Sequence, residues 1–146
     1  MEQTIRLHMQ ALGLPPDAVE WLVMLWGCIQ VFDDVADGDP VKRGDLDTVI
    51  MNSLVLMPGN PFFRANSSHL IPVLMTAILK WKASDTVEKA GKADARSYMW
   101  RASYYDVVLM VVALCHGPQA AMDASDSVML LYGETFAGYL KELEYA

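Results

Sequence analysis

The sequence lacks a long hydrophobic run. Two uncharged stretches, Trp21–Phe32 and Val107–Met122, fall short of the roughly 20 apolar residues that a membrane-spanning helix needs. The first residues, Met-Glu-Gln-Thr-Ile-Arg, do not place an apolar core after a basic segment, so they do not resemble a secretion signal. We therefore expect no membrane span and predict a cytoplasmic location.

Basic residues and cysteines are also scarce. The 11 Lys and Arg residues are outnumbered by 18 Asp and Glu residues, which gives a net charge of −7, and they form no stripe. Because contacts with phosphate groups dominate affinity for nucleic acids, we expect no nucleic-acid partner. Cys28 and Cys115 lie in apolar surroundings without CxxC spacing, which indicates two buried free thiols.

Strict alternation of apolar and polar residues is almost absent, and apolar residues instead recur every three or four positions. This pattern predicts an all-α fold. A length of 146 residues is typical of one domain, so residues 1–146 are predicted to form a single compact bundle of about six helices. The hydrophobic fraction of 53% is high for a chain of this size and favours a homo-oligomer.

Glycine and proline mark the ends of the predicted helices. The middle parts of the second and fifth helices are apolar on most sides, which places both in the centre of the bundle. The six predicted helices are about Glu2–Leu12, Pro16 to about Gly38, about Gly44 or Asp45 to the residue before Pro58, Ser67 or Ser68 to Lys82 with a restart considered at Ser84, about Lys92–Cys115, and about Ser125 to the C-terminus.

Four aspartates crowd the end of the second predicted helix. Asp37 is four residues from Asp33 and three from Asp34, so it shares a helix face with each of them, and Asp39 follows closely. These like charges repel one another, and the helix dipole disfavours anions at a C-terminus. A divalent cation would relieve both penalties, and ligands that are all oxygen suit Mg²⁺. The pattern thus predicts a Mg²⁺ site, although a solvated helix end with ordinary turn chemistry fits it too.

The stretch Trp26–Asp39 resembles the first aspartate-rich motif, DDxxD, of class I isoprenoid synthases, and is closest to the squalene and phytoene synthase branch. Two later stretches resemble further helices of that branch, in the same order. Tyr104–Gly117 is similar to a tyrosine-bearing helix that ends in glycine, and Tyr132–Glu142 is similar to the helix of the second acidic motif. The resemblance implies an isoprenoid-synthase-like helical fold in which the aspartates bind a diphosphate through Mg²⁺.

Other residues are candidates for contacts with a diphosphate or with the groups around the metal. Arg43 can instead neutralise the local acidity, Arg101 can pair with Asp94 or Asp106, and Tyr104 can pack at the edge of the core. The candidate contacts are Asp39, Arg43, Arg101, Tyr104, Glu134 and Glu142.

The sequence leaves catalysis open. Ionisation of a diphosphate needs metal ions held from two opposing helices, but this chain carries no DxxxD at the place of the second motif and is shorter than members of the family. A second hypothesis is therefore a helical interaction or assembly protein without catalytic activity. A third is a small all-α nucleotide pyrophosphatase, although the Glu-Glu-x-x-Glu pattern of those enzymes is absent.

Overall fold

The computed structural model describes residues 1–144, and this part of the chain is helical without any strand. The all-α prediction is confirmed. One π-helical turn, Asn52–Leu56, directly follows the third α-helix. The α-helices described are α1 (Glu2–Ala11), α2 (Pro16–Asp37), α3 (Arg43–Met51), α4 (Pro61–Lys89), α5 (Ala95–Trp100), α6 (Tyr104–His116), α7 (Pro118–Met129) and α8 (Phe136–Glu142).

The chain divides into two compact units, Met1–Ser67 and Ser68–Ala146. The boundary falls inside the sequence of α4. The single domain expected for residues 1–146 stays a prediction, and each unit is described by itself below. Of the helices in residues 1–144, none combines the length and the apolar character that crossing a membrane requires.

In the first unit, α2 packs against α1, α3 and the π-helical turn. Its start is set by Pro15 and Pro16, and its end by Gly38, which adopts a left-handed conformation with a φ of 76°. Trp21 is almost fully buried and stacks on Phe63, with 5.5 Å between the ring centroids. The central position predicted for this helix therefore holds for its first half. The buried apolar side chains of α2 are Ala18, Val19, Trp21, Leu22, Val23, Leu25 and Cys28.

In the second unit, α6 packs against α7, and α5 packs against α8. The sequence of α6 is apolar on most sides, and Val107, Val108 and Val111 are almost completely buried. Leu70 from α4 and Val128 from α7 are also fully buried. The prediction that this segment is central to the packing is confirmed within the second unit.

Several helix boundaries after α3 differ from those that the sequence predicted. Pro61–Asn66, expected to be a loop or a single turn, is the first part of α4, because the Asn60 side chain accepts a hydrogen bond from the Phe63 amide and caps the helix. The predicted helix Lys92–Cys115 is divided into α5 and α6 by a turn at residues 101–103.

The last predicted helix also differs from the structure. We expected Ser125 to cap a helix that runs to the C-terminus. Ser125 instead lies inside α7, where its hydroxyl donates to the Met122 carbonyl, and α7 starts earlier, at Pro118. Thr135 caps the separate helix α8 by accepting a hydrogen bond from the Gly138 amide. The predicted end of the helix, at residues 145–146, lies outside the described residues.

Candidate functional site

The aspartate cluster forms the C-terminal end of α2. Asp33 and Asp34 are half-buried, whereas Asp37 and Asp39 are exposed. The helix ends in a glycine cap, in which the Gly38 amide donates to Val35 O at 3.2 Å and the Asp39 amide donates to Asp34 O at 2.8 Å. No basic residue lies in the last turn of this helix. The negative charges are thus placed where the sequence predicted them, at the unfavourable end of the helix dipole.

The geometry limits what this cluster can do as a metal site. Among residues 1–144, the structure contains no group of three or more His, Cys, Asp or Glu side chains arranged to hold a metal ion. Mg²⁺ is nevertheless commonly bound through one or two protein carboxylates, with water and phosphate oxygens in its other positions. Of the three aspartates predicted as metal ligands, Asp33 and Asp34 are the two that are half-buried.

The basic residue predicted to assist the cluster has another partner. Arg43 begins α3, and its Nε donates to Asp47 Oδ1 at 2.9 Å, one turn along the same helix. Both side chains are largely exposed, so this ion pair is weak. From the sequence we proposed that Arg43 neutralises the acidity of residues 33–39. In the structure it pairs instead with Asp47, a neighbour within α3.

A second group of charged residues lies in the second unit, around Glu88 at the end of α4. The Glu88 carboxylate accepts hydrogen bonds from Arg101 Nη1, at 3.1 Å to each oxygen, and from Tyr139 Oη at 2.8 Å. Ser84 Oγ also donates to this carboxylate, at 3.0 Å. The Tyr139 hydroxyl also lies 2.6 Å from Ser97 Oγ. This network joins α4, α5 and α8 through side chains that are mostly buried.

Glu134 lies on the other side of Arg101. Its Oε2 accepts a hydrogen bond from Tyr132 Oη at 3.1 Å and is 3.8 Å from Arg101 Nε. Its backbone carbonyl accepts a hydrogen bond from Tyr98 Oη at 2.5 Å. Burial raises the pKa of Glu134 above its ordinary value and nearby Glu142 adds to the increase, while Arg101 opposes it. Arg101 thus lies between two carboxylates, and neither is Asp94 or Asp106, the partners considered from the sequence.

Aromatic rings surround these charged groups. The Tyr98 ring is 5.2 Å from that of Tyr132, 5.4 Å from that of Phe136 and 5.6 Å from that of Tyr139, measured between centroids. Arg101 lies 5.7 Å from the centroid of the Tyr139 ring, within the range of a cation–π contact. The rings limit access of water to the ion pairs, which strengthens the interactions between the charges.

The predicted site residues therefore occur in two places. Asp33, Asp34, Asp37, Asp39 and Arg43 belong to the first unit, and the remaining four belong to the second. Arg101, Glu134 and Glu142 come together there, whereas Tyr104 is buried in the core, and burial strongly raises its pKa.

Sequence reasoning missed the centre of this second group, Glu88, and its partner Tyr139. No local spacing indicates their pairing, because they are 51 residues apart in the sequence. The one sequence signal for Glu88 was its acidic side chain in a segment of mixed polarity, and this does not indicate which residues it contacts.

Comparisons with protein-family models, with curated proteins and with solved structures give no match for this chain. The class that the structure itself defines is an all-α helical protein. Any more particular function is argued below from the described residues.

Proposed function

We propose that this chain is a helical assembly protein that associates with a second copy of itself through one face of α4. The observation that carries this proposal is an exposed apolar stripe of Ile71, Met75, Ile78 and Leu79, each between 55% and 63% exposed. These residues follow one another at intervals of four, three and one, so they lie on one side of the helix. Contiguous exposed apolar surface of this kind is typical of an interface between proteins.

The charge pattern favours a second copy as the partner. A chain with a net charge of −7 repels its own copies unless the surfaces in contact carry little charge, and residues 70–79 contain no charged side chain. The stripe is also symmetric about its middle. In an antiparallel pair related by a two-fold axis at Met75, Ile71 of each copy faces Leu79 of the other. The face of α4 is therefore compatible with self-association in both charge and spacing.

Sedimentation velocity over a range of protein concentrations tests this proposal. We expect the wild-type chain to form a dimer and Met75→Glu to be monomeric, because a two-fold axis would bring two buried carboxylates together. The matched control is Met122→Glu, which changes an exposed methionine on α7 and is expected to leave the dimer intact. A monomeric wild-type chain, or a Met75→Glu variant that dimerises like the wild type, would contradict the proposal.

A second candidate function is binding of Mg²⁺, and through it of a diphosphate, at the end of α2. It is supported by the half-buried position of Asp33 and Asp34 at the C-terminal end of α2, where the helix dipole favours a cation. The resemblance of this stretch to a DDxxD motif, and of the chain to an isoprenoid-synthase-like fold, belongs to the same proposal. It concerns binding alone, because a single acidic cluster is insufficient to ionise a diphosphate.

Thermal unfolding in the presence of Mg²⁺, with and without inorganic pyrophosphate, tests this second candidate. A ligand that binds the folded chain raises its melting temperature, and we expect a larger rise when pyrophosphate accompanies the metal. The double substitution Asp33→Asn and Asp34→Asn should abolish the rise. Asp123→Asn with Asp126→Asn is the matched control, since this pair is exposed on α7. An equal Mg²⁺ effect in both double variants would reject the site.

A further inference from the structure

The outer side of α3 and of the π-helical turn after it is apolar and open to solvent. Residues 48–63 carry no charged side chain. Within α3 and the π-helical turn, which the structure describes in full, Val49 is the one buried residue. A contiguous exposed apolar patch is typical of a surface that binds another protein. Five large apolar side chains, between 46% and 72% exposed, form what we call the α3 outer face: Ile50, Met51, Leu54, Val55 and Leu56.

The π-helical turn exposes a leucine that a regular α-helix would bury. Leu56 is seven residues after the buried Val49, so continuation of α3 would return it to the same inner side after about two turns. Instead the Met57 amide donates to the Asn52 carbonyl, five residues back, at 2.8 Å, and this wider turn shifts the inner position by one residue. Met57 takes that position, with its Sδ 3.9 Å from Cys28 Sγ, while Leu56 is 49% exposed. Since π-helical turns are rare and occur often at functional sites, this rotation supports a binding role for the outer face.

Aspartates border the outer face at one end. Helices α2 and α3 are joined by residues 38–42 and pack against each other, and the contact between Cys28 and Met57 shows that they run antiparallel. The end of α2 and the start of α3 therefore lie side by side at the closed end of a helical hairpin. Residues 33–47, which form this end, contain six aspartates against one lysine and one arginine, a net charge of −4. The apolar outer face is thus continued by an acidic surface.

We propose that the α3 outer face binds a basic amphipathic helix of another protein. The apolar side of such a helix covers Leu54 and its neighbours, and its Lys or Arg side chains face the aspartates at the closed end of the hairpin. Charge complementarity selects this occupant, because a second copy of the chain would bring two acidic surfaces together. The proposal is independent of self-association through α4, whose residues 70–79 are uncharged.

Fluorescence anisotropy of a labelled synthetic peptide, titrated with the full chain, tests the proposal. The peptide consists of leucine and lysine, with the leucines at the spacing of one helix face. We expect it to bind and to bind more weakly as the salt concentration rises, because salt screens exposed charges. A peptide of the same pattern with glutamate in place of lysine is expected not to bind.

A substitution in the outer face tests its apolar contribution. Leu54→Gln shortens the apolar surface at its most exposed residue and should weaken peptide binding by about tenfold. The matched control is Leu130→Gln, which makes the same change at a leucine that is 80% exposed just after α7 and should leave binding unchanged.

Two paired substitutions test the contribution of charge. Asp39→Asn with Asp45→Asn removes two exposed carboxylates beside the outer face, and should weaken binding and reduce its dependence on salt. Asp123→Asn with Asp126→Asn removes the same charge from exposed positions on α7 and should have neither effect.

Three outcomes would overturn the proposal. The lysine peptide does not bind, or the control variants weaken binding as much as the variants of the hairpin, which would indicate unspecific attraction to an acidic protein. The third is a change in the association state of the chain in Leu54→Gln, measured by sedimentation velocity, which would make a second copy the occupant. Since Met75→Glu changes a different surface, failure of this proposal and failure of the α4 dimer are distinguishable.

Discussion

The carboxylate of Glu88 and the guanidinium of Arg101 form an ion pair that is largely withdrawn from water. Arg101 Nη1 is 3.1 Å from both carboxylate oxygens, and the side chains of Glu88 and Arg101 are 7% and 19% exposed. Removing one charge of such a pair leaves the other without compensation. Since Glu88 also accepts bonds from Ser84 and Tyr139, it joins three helices of the second unit.

Replacing Glu88 by Gln should destabilise the protein substantially. The neutral amide keeps the shape of the side chain but removes the nearer of the two carboxylates beside the buried guanidinium of Arg101, so we expect a loss of about 3 kcal/mol in the free energy of unfolding. Urea denaturation followed by circular dichroism measures this loss. The matched control, Asp47→Asn, breaks the exposed pair with Arg43 and should cost less than about 1 kcal/mol. Similar losses in the two variants would show that the Glu88 pair is effectively solvated.

Tyr139→Phe should show how much of the α8 attachment depends on one hydroxyl. The hydroxyl lies 2.8 Å from Glu88 Oε2 and 2.6 Å from Ser97 Oγ. Hydrogen bonds to charged groups contribute about 1.5–3 kcal/mol, and we expect a loss of this size in the free energy of unfolding. Tyr105→Phe is the comparison, because that hydroxyl bonds a neutral acceptor, the Leu131 carbonyl, at 3.2 Å. A larger loss in Tyr105→Phe than in Tyr139→Phe would contradict this ordering.

The fold class and the first two helices could be predicted because their signals are local. Apolar spacing identifies helices α1 and α2, while Pro16 and Gly38 mark the two ends of α2. Later boundaries depend on interactions that a periodic pattern does not contain. The capping box of Asp94, whose side chain accepts from the Arg96 and Ser97 amides, starts α5 where the sequence pattern indicated one long helix.

The two candidate groups of charged residues also differ in how far the sequence could predict them. The aspartates of α2 are neighbours in the sequence, so their proximity could be predicted from helix geometry alone. Of the partners of Glu88, Ser84 lies one helical turn away, but Arg101 and Tyr139 are 13 and 51 residues distant in the sequence, so only the tertiary fold brings these two to Glu88. Arg101 and Glu134 were identified as candidates because of their chemistry, but neither the ion pair with Glu88 nor the role of Tyr139 has a sequence signal.

The two cysteines should differ in their reactivity. Cys28 is 2% exposed and its Sγ is 3.9 Å from Met57 Sδ, whereas Cys115 is half-buried. Burial raises the pKa of both thiols, so each has less reactive thiolate than an ordinary cysteine at the same pH. With iodoacetamide at pH 8, we expect Cys115 to be alkylated slowly and Cys28 to be alkylated after unfolding. Intact-mass spectrometry over time, with and without urea, checks this order.

Rapid alkylation of Cys28 in the folded protein would contradict the burial of this part of α2. The reaction of Cys115 should also accelerate with rising pH beyond the range where an ordinary thiol levels off, because its raised pKa delays formation of the thiolate. Cys115→Ser isolates the behaviour of Cys28 in the same experiment.

Substitutions of Trp21 test whether ring stacking or hydrogen bonding stabilises the core of the first unit. Its side chain is almost fully buried and stacks on Phe63, and its indole Nε1 has no hydrogen-bond acceptor within residues 1–144. Trp21→Phe keeps an aromatic ring for the stack and removes a buried donor that has no partner, so the two effects partly offset each other. We expect Trp21→Phe to lose at most about 2 kcal/mol in the free energy of unfolding, and Trp21→Ala to lose about 3–5 kcal/mol through the cavity that it creates. Equal losses for Trp21→Phe and Trp21→Ala in urea denaturation would contradict this expectation. Such a result would indicate that the indole N–H is bonded to an acceptor such as a buried water, because the phenyl ring of Trp21→Phe still fills most of the space.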